Sequence, residues 1–216
     1  MLGTLNDRNN SLLQLGVWSV SLNEDEESGD RHFVKVLPDG VLIGVVDGLG
    51  HGKEAAVAAQ TAVRHLESNA GDPLISLFQS CHSQLKNTRG VVMSLASFSA
   101  GPNTMTWLAV GNVEGVLVRA DSSIKPARET ILLRGGVVGL KLPQLVASVL
   151  PVFSGDVLIL ATDGVARSFG YSVMVSDSPQ TIANRIGAEF KTNNDDALVL
   201  VARYTGITHV NSSSRA

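Results

Sequence analysis

The chain has 216 residues, of which 44% are hydrophobic and 17% are charged, and its formal net charge is −3. This composition is typical of an ordered globular domain, and the weak negative charge offers no basic surface for nucleic acid or anionic lipid. No apolar run approaches the roughly 20 residues of a membrane span, the polar start lacks the order of a signal peptide, and a single cysteine, Cys81, excludes an internal disulfide.

We therefore expect a monomeric protein of the reducing cytoplasm, with no membrane or nucleic-acid partner. Residues 1–216 are predicted to form one domain with its core at about residues 15–204, a polar start and a frayed, serine-rich tail.

Alternating or continuous apolar runs predict nine β-strands. They lie at residues 15–22, 32–37, 41–46, 91–99, 104–110, 113–120, 130–133, 157–162 and 197–204. Pro38-Asp39-Gly40 predicts a tight hairpin between the second and third strands, because proline presets φ and glycine admits positive φ. Gly111-Asn112 predicts a turn between two of the middle strands.

Three segments predict helices. Residues 53–69 are alanine-rich with an apolar face, a second helix follows Asp72-Pro73 as an N-cap and first-turn proline, and a third covers about residues 178–191. Because several antiparallel strands lie between the helical segments, the order favours an α+β fold over a regular alternation of strand and helix.

Four acidic positions share one context, because each lies at the edge of an apolar strand. They are Asp30, Asp47, Asp163 and the pair Asp195-Asp196. If the strand ends meet, these carboxylates repel one another unless cations neutralise them. Hard oxygen ligands favour Mg²⁺ or Mn²⁺ over zinc. Two such ions about 3.5–4 Å apart would generate a hydroxide between them and hold a phosphoryl group during in-line attack.

Each of these motifs also has a simpler interpretation. A single Asp-Gly after a strand is more often a turn, the acidic run at residues 24–27 is typical of a solvated loop, and His51 is equally consistent with a turn or helix cap. Gly48 matters because its bare backbone can offer a carbonyl oxygen to a metal. The set of four acids in similar settings is what favours a metal site.

Four motifs carry a family resemblance: Ser28-Gly29-Asp30, the segment from Val45 to Gly52, Ala161-Thr162-Asp163-Gly164, and the segment from Asp195 to Val201. In this order they resemble the metal-dependent serine/threonine phosphatases of the protein phosphatase 2C type, over about residues 15–204. The chain is similar to the bacterial branch that contains SpoIIE and RsbX, and its short length is typical of RsbX-like stressosome phosphatases.

The resemblance implies a four-layer α-β-β-α sandwich, in which helices flank two central antiparallel β-sheets and two Mn²⁺ or Mg²⁺ ions lie between the sheets at one edge. Asp47 would bridge both ions. The first ion would also be coordinated by the Gly48 carbonyl and supported by Asp30, partly through water. Asp163 and Asp195 would hold the second. Asp47 and Asp163 are therefore the predicted catalytic residues.

The chain departs from the family pattern at several positions. Asp195 is chosen over Asp196 because the first acid of the family's last motif is the ligand. Asn112 replaces an aspartate, which removes a carboxylate from a third metal site. The general-acid histidine of the eukaryotic branch aligns near Leu49, so its role does not transfer to His51.

The predicted function is hydrolysis of phosphoserine or phosphothreonine by a metal-bridging hydroxide, without a phosphoenzyme. By resemblance, the partner is a phosphorylated STAS-domain scaffold of the stressosome (RsbR- or RsbS-like), whose dephosphorylation resets stress signalling. The alternative is a catalytically inactive phosphatase-like domain that binds regulatory partners. Retention of all four acids argues against it, because a scaffold needs no crowded, mutually repelling carboxylates.

Overall fold

The computed structural model describes residues 12–22, 27–171 and 173–206. The strands in these ranges are β1 (Leu13–Val20), β2 (Asp30–Leu37), β3 (Gly40–Gly48), β4 (Val91–Ser99), β5 (Thr104–Val110), β6 (Glu114–Val118), β7 (Arg128–Thr130), β8 (Ser148–Pro151), β9 (Val157–Ala161) and β10 (Ala197–Tyr204). The helices are α1 (Lys53–Ser68), α2 (Leu74–Gln84) and α3 (Pro179–Phe190), with a 3₁₀ helix at Arg167–Tyr171. The predicted polar start, most of the acidic loop and most of the serine-rich tail lie outside the described residues.

The strands form two antiparallel five-stranded sheets, in the orders β1-β10-β9-β6-β7 and β2-β3-β4-β5-β8. Apolar side chains from both sheets meet in one central cluster. Helices α1 and α2 cover the outer face of the sheet that contains β3, and α3 covers the outer face of the other. This arrangement confirms the predicted α+β, four-layer α-β-β-α sandwich.

Strand β3 explains why its sequence is a continuous apolar run. Val41, Ile43 and Val45 face the opposite sheet, whereas Leu42 and Val46 face the helices. A strand that is covered on both sides needs apolar residues at every position, so the usual polar–apolar alternation is lost. The run carries the chain through the middle of the molecule and delivers Asp47 at its end.

The structure also corrects several boundaries. The Pro38-Asp39-Gly40 hairpin is confirmed, since Leu37 pairs with Gly40. The strand predicted at residues 130–133 is wrong in position, because β7 covers Arg128–Thr130. Strand β8 was not predicted. Both are edge strands with mostly exposed or half-buried side chains, so they lack the apolar pattern that marks a strand.

None of the helices in the described ranges has both the length and the apolar character to span a membrane.

Candidate metal centre

The four strand ends that carry the predicted acids come together at one edge of the sandwich. Asp30 opens β2 directly opposite Asp47, which lies at the end of the antiparallel neighbour β3. In the other sheet, Asp163 follows β9 and Asp195 precedes β10, and these two strands are also antiparallel neighbours. Each sheet therefore contributes one strand that ends and one that begins at this edge.

A buried threonine connects the two sheets at this edge. Thr162, which is fully buried and directly follows β9, donates a hydrogen bond from Oγ1 to Asp30 Oδ2 at 2.7 Å. The same hydroxyl accepts a hydrogen bond from the backbone N–H of Leu198 at 2.9 Å. Thr162 thus links the Asp30 carboxyl group of one sheet to the backbone of β10 in the other sheet. Sequence analysis gave this residue no role, although its position immediately before Asp163 in the Ala-Thr-Asp-Gly motif was the available signal.

The carboxyl groups influence one another strongly. Burial raises the pKa of Asp47 from 3.8 to about 9, and the charges of Asp30, Asp163, Asp195 and Asp196 add to the rise. Burial also raises the pKa of Asp30 to about 7, opposed by its hydrogen bond from the threonine and reinforced by three of the neighbouring carboxylates. Burial raises the pKa of Asp195 too. These groups therefore form a single electrostatic unit.

Asp47 is the carboxylate whose environment most requires a cation. It lies in a mostly buried position, and no donor from the described residues forms a hydrogen bond with its side chain. A buried carboxylate among other carboxylates becomes neutral by taking up a proton or is compensated by a positive ion. The surrounding donors are hard oxygen atoms, which fit Mg²⁺ or Mn²⁺.

The carboxylates are not arranged as a ready-made ligand set. Within residues 12–22, 27–171 and 173–206, no three His, Cys, Asp or Glu side chains are grouped closely enough to hold a metal ion as they stand. Asp163 Oδ2 instead accepts a hydrogen bond from the amide of Asn112 at 2.6 Å. Mutual repulsion favours separated carboxylates, and a bound cation would draw them together.

The two acids before β10 have different environments. Asp196 is buried and accepts hydrogen bonds from the backbone N–H groups of Leu22 at 2.7 Å and Gly29 at 2.6 Å. Asp195 is half-buried and accepts one hydrogen bond, from the N–H of Asp196 at 2.9 Å. Asp196 therefore fixes the backbone that leads into Asp30, and Asp195 keeps an oxygen available for a metal. The choice of Asp195 as the ligand remains a prediction.

The glycines after Asp47 and Asp163 have a packing role that sequence analysis missed. A Cβ atom on Gly48 would collide with the carbonyl oxygen of Ala55 in α1, and one on Gly164 would collide with the carbonyl oxygen of Asp196. Glycine is therefore required so that the helix and the neighbouring strand can approach the ends of β3 and β9. Coordination through the Gly48 carbonyl remains a prediction.

Comparison with known proteins identifies the family of this chain. The model of the family described as stage II sporulation protein E (SpoIIE) matches residues 38–205. The chain belongs to the SpoIIE family. No curated protein matches it.

Solved structures share the architecture of this SpoIIE-family chain over nearly its whole length. A chain from work on the bacterial stressosome, described as a modular system adapted to control secondary messenger signaling, is 27% identical with a TM-score of 0.79, covering 88% of this chain and 99% of that one. RsbX in complex with magnesium is 22% identical with a TM-score of 0.81, covering 91% and 98%. The PPM Ser-Thr phosphatase MsPP from Mycobacterium smegmatis, in complex with cacodylate, is 18% identical with a TM-score of 0.66, covering 90% and 99%. The chain therefore has the fold of PP2C-type phosphatases.

His51 lies in the loop between Asp47 and α1. Its charge lowers the pKa of Asp195, although burial has the larger and opposite effect on that carboxyl. Gly50 and Gly52 on either side have positive φ, so the loop needs glycine at both positions. The histidine is thus placed close to the acidic cluster, and it was not among the predicted catalytic residues.

Proposed function

We propose that this protein is a metal-dependent protein serine/threonine phosphatase. Two Mn²⁺ or Mg²⁺ ions would be held by Asp30, Asp47, Gly48, Asp163 and Asp195. The observation that supports this most is the convergence of four strand-end carboxylates from two sheets at one edge, in a chain of the SpoIIE family. When bound, the ions would activate water for attack on phosphorus and neutralise the phosphoryl oxygens.

The side chains would divide the work of holding this centre. Asp47 is largely buried among the other carboxylates and has no hydrogen-bond donor from the described residues, so we assign it as the shared ligand. Thr162 orients Asp30, and Asn112 holds one oxygen of Asp163. Hydrolysis forms a bond from water oxygen to phosphorus, breaks the bond from phosphorus to the seryl or threonyl oxygen, and leaves an alcohol and inorganic phosphate.

The single cysteine is not placed to act as a nucleophile toward a phosphate ester. Cys81 lies on the buried face of α2, in the cluster between the helices and the sheet, and is fully buried. Burial raises the pKa of its thiol to about 12, so it remains a thiol at neutral pH and is inaccessible to a phosphate ester. A cysteinyl phosphate intermediate is therefore not part of the proposed reaction.

The proposed substrate is a phosphorylated STAS-domain protein of a stressosome, whose dephosphorylation would reset stress signalling. Support comes from the similarity to a chain from work on the bacterial stressosome and from the fold shared with RsbX. The same similarities support an RsbX-like role for the SpoIIE-family domain.

Phosphate release from phosphoserine and phosphothreonine peptides, and from a phosphorylated STAS-domain protein, tests the proposal. We expect release by the wild type with Mn²⁺, loss of release with EDTA, and a reduction of at least about a hundredfold in Asp47→Asn and Asp163→Asn. Asp39→Asn, in the exposed β2–β3 turn, is the matched control and should retain activity. Equal rates in the wild type and both site variants would favour the inactive, partner-binding alternative.

A further inference from the structure

A cleft of 530 Å³ lies beside the predicted metal centre, between the start of α1 and the segment that joins α2 to β4. Its lining residues are Lys53, Glu54, Val57, Asn87, Thr88 and Arg89. The loop after Asp47 forms the neighbouring wall, since Arg89 Nη1 would lie 2.7 Å from a Cβ atom built on Gly50. The same loop is tied to β4 by a hydrogen bond from the Leu49 N–H to the Gly90 carbonyl at 3.1 Å.

The described lining of the cleft has a net positive charge. Among the described lining residues, Lys53 and Arg89 are basic and Glu54 is the one acid. Arg89 pairs with Glu54 at 2.5 Å, and their side chains are 48% and 69% exposed. An ion pair this exposed contributes at most about 1 kcal/mol, so another carboxylate can replace Glu54 at little cost.

The location of this charge is informative because the adjacent centre is strongly acidic. The carboxylates of this centre that are ionised and not compensated by cations would repel an approaching phosphorylated acidic peptide. A basic cleft at the border of the acidic cluster offers a local attraction to the parts of a substrate that flank the phosphate. Such a cleft provides orientation as well as binding.

Apolar side chains complete the surface. Val57 in the cleft is 46% exposed, and Leu49 and Leu140, which both lie close to Gly90, are 42% and 56% exposed. Exposed apolar residues grouped beside basic ones are typical of a surface that contacts a polypeptide.

We propose that this cleft binds the segment of the phosphoprotein substrate that flanks the phosphorylated residue, with Arg89 and Lys53 pairing with acidic side chains of that segment. Arg89 exchanges Glu54 for a substrate carboxylate, and the apolar residues contact the peptide chain. The inference rests on the proposed phosphatase function, and it makes an acidic sequence around the phosphorylated residue the preferred substrate class.

The test compares two fluorescein-labelled phosphoserine peptides that differ only in having glutamate or glutamine at the flanking positions. Binding is measured by fluorescence anisotropy in EDTA, and kcat/KM is measured with Mn²⁺. We expect the wild type to prefer the acidic peptide by about three- to fivefold and Arg89→Gln to lose most of that preference. Glu54→Gln, which releases Arg89, should bind the acidic peptide about twofold more tightly.

Arg64→Gln is the matched control, because Arg64 is exposed on the same helix about 16 Å beyond Lys53. An equal preference in the wild type and Arg89→Gln, or an equal loss in Arg64→Gln, would overturn the assignment. If phosphate release is absent but the binding preference follows these variants, the phosphatase proposal fails and the cleft assignment stands. If phosphate is released without any preference for the acidic peptide, the phosphatase proposal stands and the cleft assignment fails.

Discussion

Replacing Asp47 by asparagine should stabilise the metal-free protein while destroying its metal response. The pKa of Asp47 is raised from 3.8 to about 9, so near pH 7 the folded chain holds this carboxyl protonated whereas the unfolded chain ionises it. The raised pKa gives no penalty below about pH 4, and the cost to folding grows as the pH rises toward about 9. At 1.36 kcal/mol per pKa unit, the largest cost to the free energy of folding near pH 7 is about 4 kcal/mol.

Because neighbouring carboxyl groups share the repulsion, we expect Asp47→Asn to raise the free energy of unfolding by about 1–2 kcal/mol near pH 7 in EDTA. Urea denaturation measures this difference, which should disappear near pH 4. Added Mn²⁺ should reverse the order, because the wild type gains binding free energy that the variant lacks. The control Asp39→Asn should change stability by less than about 0.5 kcal/mol in either condition. If Asp47→Asn destabilises the protein equally at both pH values in EDTA, Asp47 is a structural turn residue and the electrostatic reasoning is refuted.

Three further predictions concern the same centre. Thr162→Val should lower the free energy of unfolding by about 1–3 kcal/mol in urea titrations, because Asp30 loses its donor; Thr162→Ser, which keeps the hydroxyl, should stay near the wild type. Asp196→Ala should lower the free energy of unfolding by about 1–3 kcal/mol, because two backbone N–H groups lose their acceptor. Asp195→Ala should lower phosphate release with little effect on stability. The opposite pattern would make Asp196 the metal ligand. Mn²⁺ binding should release protons, and the affinity should increase from about pH 6 to about pH 8. The reason is that Asp30 and Asp47, with pKa values raised to about 7 and 9, must ionise to coordinate the metal. Calorimetry in buffers of different ionisation enthalpy measures this, and a pH-independent affinity would contradict it.

The parts of the fold that sequence analysis predicted well are those with strong local signals. Continuous apolar runs marked β3, β9 and β10, because strands buried on both faces carry apolar residues at nearly every position. The predicted acids also lie at strand ends, where a carboxylate after or before such a run is conspicuous. The antiparallel register then brings them to one edge.

The features that sequence analysis missed depend on contacts between distant segments. The roles of Thr162, Asp196 and Asn112 follow from hydrogen bonds to residues 36 to 174 positions away in the chain. No local pattern encodes such a contact. The edge strand β8 was missed for a different reason, since its exposed side chains give no apolar periodicity.

The most direct test of the metal centre is a crystal structure of the protein grown with Mn²⁺, with an anomalous difference map. We predict two peaks on either side of Asp47, one near Asp30 and the Gly48 carbonyl and the other near Asp163 and Asp195. Asp47→Asn crystals should lose at least one of them. The absence of peaks around Asp47 in the wild type, or peaks only elsewhere on the surface, would contradict the account.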